Sequence, residues 1–327
     1  MTMPPDAHRL IQEVLTDLGW PADAVAIAEK VRRLNIGLPL EDEFSVVCAW
    51  LGKCELLHKL DQQQVPLASQ QKFQVPDILA RFTTLAIKSP VLIEVKSKAQ
   101  NTLSFTPEYL QRLKNYADLL NMPLLIAWKF HSMWMLFDVK HMKMAKKNFN
   151  IDMGTALRES LLGALVGDVA YKIGPGAGIH LRFRKDELMG TERAENGYTE
   201  EWKMTVDEVT FSDYMGNDLV DLDSEVQSLF TAWDMEKREE HTKSHLHVHF
   251  IAGSDGMQFA HTALVRLLNW ESPNNDLPHW RSLLRKDQVT TNVSNFSAAL
   301  DKALRQKIVS HIFHVQPNTW PDFLPPR

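Results

Sequence analysis

A chain of 327 residues with 44% hydrophobic and 24% charged side chains is about twice a typical domain and holds enough apolar surface for a sizeable core, which excludes one small module and a disordered chain. Only two cysteines, Cys48 and Cys54, argue against a disulfide scaffold and for a reducing, cytoplasmic setting, and no basic leader or long apolar run predicts export or membrane spanning. The net charge of −5 hides a block at 186–240 with 4 Lys and Arg against 17 Asp and Glu, a balance of −13, whereas residues 1–150 carry 18 against 15, so a phosphate-bearing partner stays open outside that block.

Residues 1–40 predict a helical lead-in, HRLIQEVLTDLGW and DAVAIAEKVRRLNIG, punctuated by Pro21 and the Gly37-Leu38-Pro39 turn. From Asp42 to about Leu60, Phe44, Val47, Trp50 or Leu51, Cys54 and Leu57 recur at helical spacing behind the acidic Glu41-Asp42-Glu43 cluster, which predicts one amphipathic helix. VPDILARF and PVLIEVKSK read as paired strands. TPEYLQRLKNYADLLN predicts a second helix, with Thr106 as its N-cap and Pro107 at the first helical position. PLLIAWKF and MWMLFDV are two further strands joined at His131-Ser132, and the order helix, strand, strand, helix, strand, strand predicts a mixed-sheet α/β unit at 41–150.

Residues 151–327 predict an additional α+β region. ALRESLLGALVGDVAYKIG reads as helix then strand, Gly174 to Gly178 as a turn, and IHLRFR as a strand. The acidic block predicts irregular but folded structure, anchored by Trp202, Phe211, Phe230 and Trp233. HLHVHFI then reads as a strand, and MQFAHTALVRLLNW and NFSAALDKALRQKIVSHIF as helices.

The chemistry concentrates in the two central strands. Asp77 lies early in one, and Glu94 and Lys96 lie two apart in the next, so they share a face of the sheet. An apolar strand gains nothing from burying Glu beside Lys, and buried charges must be paired or bound to metal. The carboxylates of Asp77 and Glu94 with the carbonyl of Val95 make a half-shell for an oxygen-seeking divalent ion, Mg²⁺ with Mn²⁺ as substitute. Lys96 beside it orients or helps deprotonate an attacking water.

Pro76-Asp77 followed by Glu94-Val95-Lys96 resembles the signature of the PD-(D/E)xK nuclease superfamily, the restriction-endonuclease-like fold, over about residues 42–139. The resemblance implies a mixed sheet flanked by helices and Mg²⁺-dependent hydrolysis of phosphodiester bonds in DNA, with residues 151–327 serving recognition, dimerisation or regulation. Members of the superfamily often add an acidic residue from the preceding helix. Here Glu43 is preferred to Glu55, because it shares the stripe of Val47, Trp50, Cys54 and Leu57. A Gln followed four residues later by Tyr occurs in some members, whereas Gln111 and Tyr116 are five apart.

For the nucleic-acid backbone, Lys140, Lys143, Lys146 and Lys147, with Lys129 and His141, form one basic stretch; Lys98, Arg112 and Lys114 beside the active strand form another. His245, His247 and His249 alternate along one strand face. A role in restriction, phage defence or mobile-element processing, a homodimer, an RNA substrate and an inactive fold that only binds all stay open at this point.

Overall fold

The structure is a computed structural model that describes residues 40–60, 66–84, 89–194, 197–219, 222–270 and 295–326. The helical lead-in expected before residue 40 lies outside them. The first helix, α1, covers 40–50 only. Its expected continuation to Leu60 is not formed, because Gly52 adopts φ +86° and this left-handed residue ends the helix where a side chain is disfavoured. Cys54–Lys59 becomes strand β1 instead, paired antiparallel with β2, Ile78–Phe82. Cys54 and Leu57 therefore belong to a half-buried strand, and the two thiols, both free, are on different elements.

A short turn, α2 (Leu67–Gln70), precedes β2, and β3 (Val91–Ser97) pairs with it as expected. β4 (Thr102–Phe105) leads into α3 (Pro107–Leu120), where the Thr106 side chain accepts a hydrogen bond from the Tyr109 N–H. β5 (Leu124–Phe130) and β6 (Met133–Asp138) form the expected hairpin, with His131 at φ 54° in its turn. The sheet order is β1-β2-β3-β5-β6, antiparallel except for β3 against β5, the pair that α3 crosses over. β4 leaves this sheet and pairs with β8 (Asn148–Asp152), which pairs in turn with β7 (Lys143–Ala145).

Alternation along β3 divides the core. Val91, Ile93 and Val95 join the apolar cluster that contains Phe44 and Val47 of α1, while Leu92 joins a second cluster with Leu110 and Leu113 of α3. Glu94 and Lys96 share the parity of Leu92 and so face α3.

After β8 come α4 (Met153–Arg158), a wide helical turn at Leu162–Val166, and β9 (Ala170–Ile173). The acidic block is not irregular. β10 (Gly178–Ala194) and β11 (Gly197–Ser212) form one long antiparallel hairpin whose register shifts at bulges. Trp202, Met204 and Val206 alternate along β11, which is the strand period; the charged residues around them, Glu200, Glu201, Lys203, Asp207 and Glu208, obscure it in the sequence. β12 (Asp218–Leu219), α5 (Ser224–Ala232), β13 (Glu236–His241), β14 (His245–Ile251), β15 (Gln258–Phe259) and α6 (Ala260–Trp270) follow. The last expected helix stops at Arg305 (α7, Phe296–Arg305), since Lys307 turns at φ 58° and Val309–Phe313 forms β16. The added sheets are β12-β11-β10-β14-β13 and β15-β9-β16.

Phe211, Phe230 and Trp233 belong to the core or pack on it as expected, but Trp202 does not. It lies on the hairpin beyond the reach of β14, which pairs only with Gly178–Arg184, and its ring stacks under the Lys185 ammonium at 5.2 Å. A single apolar cluster runs from Phe44, Ile78 and Leu136 through Leu161, Tyr171 and Phe230 to Phe296 and Leu324. Along the edge strand β6, Leu136 N–H donates to Ser160 Oγ at 3.3 Å, the Leu136 carbonyl accepts from Leu161 N–H, and Trp134 N–H donates to His261 Nε2 at 3.0 Å. Sealing an edge in this way removes a template for strand addition. Among the described residues, no helix is long and apolar enough to cross a membrane.

Candidate active site

Asp77, Glu94 and Lys96 are brought together where β2 and β3 part. The β2–β3 ladder starts at Ile78 against Ile93, and one step beyond it the buried Asp77 side chain replaces the missing strand: Oδ2 accepts the Val95 N–H at 2.7 Å. A strand residue's N–H and C=O point to the same edge, so the Val95 carbonyl opens toward Asp77 as well. Glu94 is wholly buried. Its Oε1 accepts from both the Lys96 ammonium and the Tyr109 hydroxyl, and its Oε2 is a buried acceptor without a hydrogen-bond partner. An unmatched carboxylate oxygen in an apolar core costs more than a hydrogen bond returns, and here it borders the Asp77 carboxylate's strand. An all-oxygen donor set of this kind suits a hard divalent cation.

Burial works against the charge on Lys96, but Glu94, Tyr109 and Asp77 outweigh it and hold the ammonium above the ordinary lysine range. Burial and then the Glu94 charge raise the Tyr109 phenol, against a smaller lowering by Lys96. Lys96 is therefore a fixed cation and Tyr109 a fixed donor. Tyr109 was not singled out by the sequence. Its signal was its place in the first turn of α3, three residues after the N-cap, which aims it back over the end of β3.

Glu43 lies elsewhere. It is buried against the opposite face of the sheet, where its carboxylate takes the Lys129 ammonium at 2.6 Å and the Trp134 indole N–H at 3.0 Å. Glu55 is on β1, paired with Arg81 at 2.9 Å on the surface. The acid of α1 that feels the site is Glu41: burial raises its pKa, a hydrogen bond from Lys59 lowers it, and the Asp77 charge raises it again. Lys59 bridges Glu41 and Asp42 at 2.8 Å each. Stripe arithmetic could not choose among these acids, because 42–48 are buried on every face. Among the described residues, no three His, Cys, Asp or Glu side chains already form a metal-holding group.

The basic candidates divide. Lys129 is neutralised by Glu43, Lys140 lies between Asp138 and Asp322 at 3.6 and 3.7 Å, and His141 is 3.8 Å from Glu159. Lys143, Lys146 and Lys147 are exposed on the β7–β8 hairpin. Lys98 follows β3 directly, with its backbone tied to Lys129 and to the Trp128 indole. Arg112 donates to the Gln70 carbonyl at 3.2 Å, and Lys114 lies 5.6 Å over the Phe149 ring. Gln111 turns outward to Asn115 at 2.8 Å, away from the site.

Residues 66–166 match the family model of archaeal Holliday junction resolvases (Hjc). This region has the PD-(D/E)xK nuclease-superfamily fold. The chain is also similar to the solved structure of Hjc from Archaeoglobus fulgidus, a Holliday junction resolvase from an archaeal hyperthermophile, at 22% identity with a TM-score of 0.31, over 37% of this chain and 91% of that one. No curated protein matches the chain. The PD-(D/E)xK core at 66–166 thus contains Asp77, Glu94, Lys96 and Tyr109, while α1 and the whole of the chain after 166 lie outside the matched segment.

Proposed function

We propose that this chain is a Mg²⁺-dependent endonuclease that cuts branched DNA of the four-way-junction type, with Mn²⁺ able to substitute. The observation that carries the reading is the buried, unpartnered Oε2 of Glu94 beside Asp77 and a permanently charged Lys96. Asp77, Glu94 and the Val95 carbonyl would hold the ion, which when bound lowers the pKa of water and stabilises charge on the phosphorus. The chain's own groups do the rest. Lys96, kept protonated, neutralises a non-bridging phosphate oxygen and acts as a cation in preference to a base. Tyr109 holds Oε1 of Glu94 so that Oε2 stays turned to the site. Glu41 and Asp42 hold Lys59 at the mouth.

On this reading residues 41–150 supply the chemistry and 151–327 brace it, and Lys98, Arg112, Lys114, Lys143, Lys146 and Lys147 offer positive charge to the DNA backbone. The match to junction resolvases supports branched DNA over the linear sites of restriction, and two symmetric incisions in a junction favour two copies acting together. The test is cleavage of four-way-junction, linear and plasmid DNA, and of a matched RNA junction, with Mg²⁺, Mn²⁺ or EDTA. Asp77→Asn, Glu94→Gln and Lys96→Met are each expected to abolish cleavage with the fold retained by circular dichroism, their losses being non-additive. Wild-type turnover in Glu94→Gln, or equal cleavage in EDTA, would overturn it.

A further inference from the structure

The outer face of the β12-β11-β10-β14-β13 sheet carries imidazoles that phosphodiester chemistry at Asp77 and Glu94 does not use. His180 on β10 stands directly opposite His249 on β14 in the antiparallel register, and their Nδ1 atoms are 2.8 Å apart. Two neutral rings satisfy that contact only when one Nδ1 carries a proton and the other presents a lone pair. The Ser212 hydroxyl stands 2.8 Å from His180 Nε2 and 3.1 Å from the Gly176 carbonyl, and its one proton goes to only one of them. With that proton on the carbonyl, the hydroxyl accepts from His180 Nε2–H and the Nδ1 lone pair of His180 is turned toward His249, which is the tautomer a chelate uses. A carbonyl, hydroxyl and imidazole in series is the support that fixes the tautomer of metal-ligating histidines.

The two rings line a cavity of about 320 Å³ together with His247, Thr210, Glu208 and Asp218. The His247 ring stacks on that of His249 at 6.4 Å with 12° between planes. Arg182 at its rim is held by Asp207 and Glu208 at 3.1 and 2.7 Å, which keeps its charge from opposing a cation. Imidazole nitrogen favours Zn²⁺, Ni²⁺ and Cu²⁺ over Mg²⁺, so this face differs in kind from the all-oxygen site.

We propose that His180 and His249 form a cross-strand chelate for a transition-metal ion of the Zn²⁺ or Ni²⁺ class. The ion takes the place of the proton between the two Nδ1 atoms: His249 gives its Nδ1 proton to water and takes one from water at Nε2, so both rings bind as neutral Nε2–H tautomers with no net proton released. At a Zn–N length of about 2.0–2.1 Å and a tetrahedral angle the two nitrogens stand roughly 3.3 Å apart, so the rings open by about half an ångström. No third side chain already stands in a metal-holding group with them among the described residues. Water therefore fills the remaining positions, with Asp218 and His247 in the same cavity.

The test is titration of the whole protein with Zn²⁺ or Ni²⁺ alone against a chromophoric chelator, in excess Mg²⁺ to occupy the oxygen site. One ion per chain is expected, unchanged in Glu94→Gln and weakened more than tenfold in His180→Asn or His249→Asn. Ser212→Ala, which removes no ligand, is expected to weaken binding by about 10–100-fold. X-ray absorption of the wild-type protein at the zinc edge is expected to give two nitrogen scatterers at about 2.0 Å, and this stands even where a variant fails to fold. Equal affinity across the His variants, or a spectrum of oxygen ligands only, would overturn the chelate and leave a proton-sharing pair; neither result bears on DNA cleavage.

Discussion

Tyr109 and Lys96 act on one oxygen of Glu94 and leave the other to the site. Tyr109→Phe removes one donor to a buried carboxylate, and the expected loss is about 1–2 kcal/mol of stability in urea denaturation, with metal affinity falling in the same variant because Glu94 gains a second rotamer. Glu41 carries the opposite sign. Its folded-state pKa lies above the ordinary value of 4.5, from burial first and with Asp77 adding to it, so the folded chain keeps that proton to higher pH than the unfolded chain does. Stability therefore drains away as pH rises through the window above 4.5 and is intact below it. Glu41→Gln is expected to melt higher than wild type at pH 7 and to lose that advantage near pH 4, and thermal melts across this range check it; an advantage independent of pH would mean that lost contacts to Lys59 dominate. At this scale the sequence showed Asp77, Glu94 and Lys96, whose residue types are improbable in core strands. It did not show Glu43's partner Lys129, 86 residues away, which only the sheet brings near.

At the scale of elements, the legible parts were those whose pattern and punctuation agree. β2, β3, β5, β6 and α3 have clean apolar runs, a capping Thr106 and a tight His131 turn. The misread parts have a pattern without its stop signal. In α1 the stripe continues in register past Gly52, and only the left-handed φ of that glycine separates Cys54 from the helix. Gly52→Ala is expected to cost about 1–2 kcal/mol from the left-handed backbone alone, and the new Cβ would meet the Asn295 side chain at 3.1 Å. Because Asn295 caps α7 through the Ala298 N–H at 3.0 Å, the loss includes some cap strength. Gly52→Asn, which tolerates this backbone better, is expected to lose less, and denaturant midpoints distinguish the two. The β10–β11 hairpin was hidden because its charged positions interrupt the apolar alternation.

For the molecule as a whole, the balance of −13 is spread over two different things. The described residues beyond Lys185 and before Met204 form a two-stranded ribbon, and among the described residues no further strand pairs with either side of it, while Phe211, Leu222, Phe230 and Trp233 are tied into the main core. The Lys185 N–H turns away to the Ser244 carbonyl, so the preceding pair, Arg184 opposite Thr205, is the hydrogen-bonded one, and replacing the residues between them with Asn-Gly gives a two-residue hairpin turn. That shortened protein is expected to stay folded and monodisperse, whereas deleting 211–240 is expected to give insoluble protein; solubility and melting temperature of the two deletions check this. An unfolded ribbon-less variant would show that the ribbon supports the sheet below it.

The sealed edge of β6 has a consequence for how the chain is made. His261, which closes the Trp134 N–H, is itself oriented by the buried Asp168 carboxylate at 2.7 Å, and it lies 127 residues downstream of Trp134. At about 5–20 residues per second a ribosome needs roughly 6–25 s to cover that interval. During that time Ser160 and Leu161 can already close the Leu136 groups, but the Trp134 N–H stays open on an apolar edge strand until the C-terminal portion emerges, so this one donor is the last part of the edge to be sealed.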